Sequence, residues 1–116
     1  MMQLLVLILK KVELIDLLIK ELVESGIKGG TILEGTGMAK ELVSMEDLPI
    51  FGMLRSILTD DVKKPCKIML FVLKDEQVKT ARETIRDVVG DLNAPNSGIL
   101  FSIPLNFVEG FGEYEE

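Results

Sequence analysis

The sequence predicts an α+β fold, a ferredoxin-like βαββαβ sandwich in which a four-stranded antiparallel sheet carries two helices on one face. Two unbroken apolar runs, "QLLVLIL" at 3–9 and "CKIMLFVL" at 66–73, have the length and composition of buried strands. Each run is followed by a segment with helical periodicity, and each predicted helix is followed by a shorter strand. This order of elements is the split βαβ arrangement.

Length and composition fit one domain over residues 1–116. Hydrophobic residues make up 47% of the chain and charged residues 28%, with a net charge of -6 and no histidine. Lysine and arginine are interleaved with acids, so no basic stripe is available for nucleic acid. The apolar N-terminal run is shorter than the roughly 20 residues of a membrane span, and it lacks the basic start of a signal peptide. We therefore expect a cytoplasmic protein without nucleic-acid binding or membrane insertion.

The first predicted helix lies in "KKVELIDLLIKELVESG", where apolar Leu14, Leu18 and Leu22 share one face and charged residues occupy the other. Gly26 is a typical residue for the end of a helix. The next segment, "GGTILEGTG", predicts a short strand over Thr31–Glu34 between glycines.

In the second half, Asp75 is predicted to be the N-cap of a helix that ends at Gly90. A strand is predicted over Gly98–Ile103, and we expect Pro104 to stop it. The segment "NFVEG" at 106–110 predicts a short terminal strand. Between the two halves, residues 38–64 form an insertion, whose apolar spacing predicts a short helix after Pro49.

The two long strands do not alternate apolar and polar residues, so both faces of the sheet are predicted to be apolar. The helices cover only one face. Six side chains left in water on the other would each forfeit about 1.5–3 kcal/mol. A total on the order of 10 kcal/mol rivals the whole stability of a small domain. The insertion could cover part of this face, but a second copy of the sheet is the simpler cover, and we expect an oligomer.

No residue pattern indicates catalysis. Cys66 is the only cysteine, and without histidine it cannot form a Cys–His pair. Its position favours a small apolar role at the start of a strand. The acidic pairs at 46–47 and 60–61 lie in polar stretches typical of solvated turns. We expect a protein that is not an enzyme and holds no metal.

Two stretches resemble the PII-type nitrogen-regulatory signalling proteins. The stretch "ILKKVELIDLLIKELVESGIKGGTILEGTGM" is similar to the opening of that family, with a lysine-led turn, a threonine-bearing strand and a Gly-x-Gly ending. The stretch "SGILFSIPLNFVEGFG" is similar to its closing pattern. The resemblance covers roughly residues 3–37 and 65–110. It implies a homotrimer with ligand clefts between subunits, which senses a small metabolite or nucleotide and controls a partner enzyme or transporter.

The resemblance also implies which residues line the cleft. In the position where the family has a basic residue after its phosphate loop, this chain has Ile99, and acids replace the family's terminal arginines. An adenine nucleotide is the implied ligand, and we expect it to bind weakly because little positive charge would face its phosphates. For the loop "NAPNSG", an anion-binding loop and a plain turn both stay open as interpretations. The candidate ligand-binding residues are Thr31, Gly35, Gly37, Asn96, Ser97 and Gly98.

In the PII family a long loop after the second strand contacts partner proteins, and residues 38–64 take that place here. A docking segment and a structural cap are the two interpretations of this insertion. An ACT-like module that binds an amino acid at a dimer interface is the alternative function, because it shares the strand order. The candidate partner-contact residues are Pro49, Phe51, Met53 and Leu54.

Overall fold

A computed structural model of the chain describes residues 1–38 and 65–111. The predicted order of strands and helices is confirmed there. The insertion from 39 to 64, including the helix predicted after Pro49, lies outside the described residues. In chain order the elements are β1 (Met2–Leu9), a single 3-10 turn (Val12–Leu14), α1 (Ile15–Glu24), β2 (Thr31–Gly35), β3 (Cys66–Lys74), α2 (Asp75–Val89) and β4 (Gly98–Leu105).

The four strands form one antiparallel sheet in the order β2-β3-β1-β4. The two long apolar strands, β1 and β3, are central, as expected for strands without polar alternation. β2 and β4 form the two edges. On the β2 edge, Lys67 and Glu34 are directly opposite each other and form an ion pair with an N–O distance of 3.2 Å.

One face of the sheet packs against both helices and holds the core. The odd-numbered residues of β1, Leu5, Leu7 and Leu9, are almost completely buried on this face. Leu18 of α1 and Ile85 of α2 are also fully buried, which confirms the apolar stripes read from the sequence. The helices are joined by a hydrogen bond between the hydroxyls of Ser25 and Thr84 at 3.0 Å.

The opposite face of the sheet, here called the open face, is covered by no element among the described residues. Strand register places apolar side chains from all four strands on it. Four of them are between 42% and 60% exposed: Leu33, Ile99, Phe101 and Ile103. The prediction that both faces are apolar is therefore confirmed. The open face consists of Leu4, Val6, Ile8, Leu33, Ile68, Leu70, Val72, Ile99, Phe101, Ile103 and Leu105.

Two predictions about the end of the sheet are wrong. β4 does not stop before Pro104 but continues to Leu105, with Pro104 opposite Gln3. An edge strand can accept proline where its nitrogen faces away from the neighbouring strand. Residues 106–110 form no strand. β1, which lies beside Leu105, is already paired on both sides, so the segment has no strand partner within the described chain.

The N-terminus of α2 also differs from the prediction, because Lys74 and not Asp75 is the N-cap residue. The Lys74 backbone N–H donates to Gln77 Oε1 at 2.9 Å. Asp75 is the first helical residue, where its carboxylate is favourable near the helix N-terminus. That carboxylate accepts a hydrogen bond from Gln3 Nε2 at 2.7 Å and lies 3.9 Å from the N-terminal ammonium.

Candidate functional site

Most of the candidate ligand residues gather at one end of the sheet. β1 and β2 end there, and β3 and β4 begin there, as the register pairs Gly35 with Cys66 and Leu9 with Gly98. Three connecting segments therefore meet at this end: the turn after β1, the residues after β2 and the loop before β4. We call this region the loop end of the sheet.

The loop before β4 has an unusual backbone. Asn96 has a φ of 59°, in the left-handed region, and Gly98 has a φ of 149°. A Cβ at Gly98 would overlap the Ile8 carbonyl oxygen of β1, so only glycine fits there. Residues held in such conformations cluster at sites that bind ligands, although a tight turn uses them too.

Ser97, between these two residues, is 1% exposed, and its hydroxyl has no hydrogen-bond partner among the described residues. Its carbonyl oxygen accepts a hydrogen bond from the Lys10 backbone N–H at 3.0 Å. A buried hydroxyl without a partner costs about 1–3 kcal/mol. The loop thus keeps an unsatisfied donor at the place where the resemblance puts an anion, although in this conformation the hydroxyl is shielded from solvent.

Lys10 is a candidate site residue that sequence reasoning missed. Its backbone is bonded to Ser97, while its side chain extends toward the residues after β2: a Cβ at Gly37 would lie 3.4 Å from Lys10 Nζ. No carboxylate of residues 1–38 or 65–111 lies within ion-pair distance of this ammonium. The available signal was the lysine-led turn after β1. The loop end therefore does present a cation.

Lys11, the second lysine of the same turn, contacts the start of the connection between α2 and β4. Lys11 Nζ donates to the carbonyl oxygen of Val89, the last residue of α2, at 3.4 Å. A cation at the C-terminus of a helix is favourable because the last carbonyls are unpaired and the helix dipole is negative there. The adjacent lysines thus contact both ends of the connection between α2 and β4, and hold it beside the end of β1.

The remaining candidates are not all brought together within one chain. Thr31 is at the other end of β2, about 14 Å from Gly35 at ~3.4 Å per residue. β2 and β4 are opposite edges of the sheet, about 14 Å apart across three strand spacings. One chain therefore presents two half-sites, with Lys10 between Gly37 and Ser97. The candidate partner contacts Pro49, Phe51, Met53 and Leu54 lie outside the described residues.

The loop end presents groups that can bind an anion. An ammonium without an ion pair among the described residues, together with backbone N–H groups, can hold an anion. In the described ranges no group of three or more potential metal ligands occurs. No helix within the same ranges is both long and apolar enough to cross a bilayer.

Comparison with known proteins defines the fold. No family model matches the chain, and no curated protein matches it by sequence. Among solved structures, the crystal structure of Arabidopsis thaliana PII bound to citrate matches with a TM-score of 0.62 and 18% sequence identity, over 90% of this chain and 77% of that one. The chain therefore has a PII-like fold. The resemblance read from the sequence is confirmed at the level of the fold.

Proposed function

We propose that this chain is a PII-like regulatory protein that binds a small anionic metabolite at the loop end of the sheet and passes the signal to a partner protein. The observation that carries the proposal is the position of Lys10, an ammonium without an ion pair in the described chain, between Gly37 and the strained loop before β4. Charge-assisted hydrogen bonds from such a group are stronger than neutral ones.

The solved structure of similar fold supports a carboxylate ligand. That protein, Arabidopsis PII, is bound to citrate. A single ammonium with backbone N–H groups can offset the charge of a small carboxylate better than that of a triphosphate, which carries more charge. We therefore rank small polycarboxylates and 2-oxo acids above adenine nucleotides as ligands of this chain.

We propose further that three copies assemble with their open faces turned inward. The open face is the apolar surface that such an assembly would bury. β2 and β4 are the free edges of the sheet, so a closed ring brings the β2 edge of one copy toward the β4 edge of the next. That arrangement would bring Gly35 and Gly37 of one copy toward residues 96–98 of its neighbour, with Thr31 farther along the same β2 edge. Residues 38–64 would then be the segment that contacts the regulated partner.

Calorimetric titration of citrate, 2-oxoglutarate, bicarbonate and ATP into the full chain tests the ligand proposal. We expect saturable binding of at least one carboxylate, and we expect Lys10→Gln to weaken it about tenfold or more, because a hydrogen bond to a charged group contributes about 1.5–3 kcal/mol. The matched control is Lys20→Gln, an exposed lysine on α1. Equal affinities of the two variants, or no binding of any anion, would reject the site.

A second variant separates ligand binding from folding. Gly37→Val places its Cβ at ordinary contact distance from Lys10 Nζ and displaces only the flexible end of that side chain. We therefore expect it to weaken anion binding while the melting temperature changes little. Equal loss of binding and stability would argue that Gly37 has only a structural role.

A further inference from the structure

A large groove of the described chain lies away from the loop-end ligand site, on the helix side of the sheet. It runs between α2 and the edge strand β4 and has a volume of about 840 Å³. Its floor is apolar, and it exists because the two helices cover the central strands and leave the inner side of β4 uncovered. The floor residues are Leu5, Val78, Leu92 and Leu100.

Three cations line one wall of this groove: Lys79, Arg82 and Arg86, all on α2. None forms an ion pair with a carboxylate among the described residues. Two acids also line the groove, and each accepts a hydrogen bond from another residue of the groove lining. Asp75 accepts a hydrogen bond from Gln3, and Asp91 accepts one from the Asn93 backbone at 2.9 Å. The groove lining therefore holds three cations against two carboxylates, in a chain of net charge -6.

We propose that this groove binds an extended acidic peptide segment of a partner protein. Arg82 and Arg86 are one helical turn apart, about 6 Å along the axis. Alternate side chains of an extended peptide are about 7 Å apart and point to the same side. Two acidic residues separated by one residue therefore match the two arginines, and the intervening side chains can face the apolar floor.

The spacing of the cations favours a peptide over a small anion. Lys79 to Arg86 covers about 10 Å of helix, and all three side chains start from exposed positions along one wall. A phosphate or a small carboxylate could contact only part of this row. An extended segment contacts all of it and also buries apolar surface. The floor lies on the helix side of the sheet, so contact between open faces does not bury it, and in the proposed ring the neighbour's β2 edge would lie at the β4 side of the groove.

Fluorescence anisotropy with a labelled peptide of alternating glutamate and leucine, titrated with the full chain, tests this proposal. We expect saturable binding that weakens as salt rises, because the pairs are exposed. The double variant Arg82→Gln/Arg86→Gln should weaken binding at least about fivefold. The matched control is Lys20→Gln/Lys28→Gln, which removes two exposed cations away from the groove. Both variants should keep the wild-type melting temperature.

Four other outcomes of these experiments would overturn the proposal. Equal weakening by both double variants would indicate general attraction to charge. Competition by millimolar phosphate or citrate at constant ionic strength would assign the wall to a small anion. A change in solution mass in Arg82→Gln/Arg86→Gln would assign it to contact between copies. Absence of saturable binding would show that the groove does not bind an extended acidic peptide. Because Lys10→Gln leaves this groove intact, failure of the ligand site and failure of the peptide site are distinguishable.

Discussion

Substitution of Ile103 by lysine tests whether the open face is buried between copies. In the single chain, Ile103 is 46% exposed and faces away from the helices. A lysine there can extend into water, so the loss for an isolated chain is limited to the half-buried part of the side chain, about 1 kcal/mol. In an assembly that covers the open face, the same ammonium is buried without a partner, which costs several kcal/mol per copy.

The expected result is dissociation with retained folding. A penalty of about 3 kcal/mol per copy lowers the association constant roughly a hundredfold for each contact. Light scattering coupled to size exclusion should report the mass of several chains for the wild type and of one chain for Ile103→Lys. The control is Ser102→Lys, the preceding residue, which is exposed on the other side of the same strand. An Ile103→Lys variant that keeps the wild-type mass would refute the reasoning.

Further predictions concern the loop before β4 and the ligand. Gly98→Ala should lower the free energy of unfolding by about 3 kcal/mol or more in urea titrations, because its Cβ overlaps the Ile8 carbonyl. Gly90→Ala, at φ 87° in open space, should lose only about 1–2 kcal/mol, and similar losses for both would contradict the steric account. Ser97→Ala removes a hydroxyl that has no hydrogen-bond partner among the described residues, so its melting temperature should equal or exceed that of the wild type; a marked decrease would reveal a partner. ATP should raise the melting temperature less than citrate at equal concentration, and a shift of many degrees with ATP would contradict the expected weak binding.

The sequence predicted the fold well because its strongest signals are local. The apolar runs of β1 and β3 and the helical periodicity of α1 and α2 depend only on neighbouring residues. The errors occurred where tertiary context decides. Pro104 is tolerated because β4 is an edge strand, and the sequence alone does not show which strands are edges. Asp75 was predicted to be the N-cap but is the first helical residue. A carboxylate is favourable at both positions, so the sequence does not distinguish them.

The candidate site was predictable in part. The glycines after β2 and the loop before β4 were found through the resemblance, and the structure places Gly35, Gly37 and Gly98 at one end of the sheet. Lys10 was missed because its proposed role depends on contacts across the fold, with Gly37 in one direction and Ser97 in the other. A lysine next to another lysine in a turn looks like an ordinary solvated residue. Only the strand register shows that this turn lies beside the loop.

Native mass spectrometry of the unmodified chain with citrate tests the central claim most directly, because one spectrum reports both assembly and ligand. The account predicts a particle of three chains that carries up to three citrate molecules, with empty trimers at low citrate. A particle of one chain, or a trimer that takes up no citrate or other small carboxylate while it remains folded, would contradict the account.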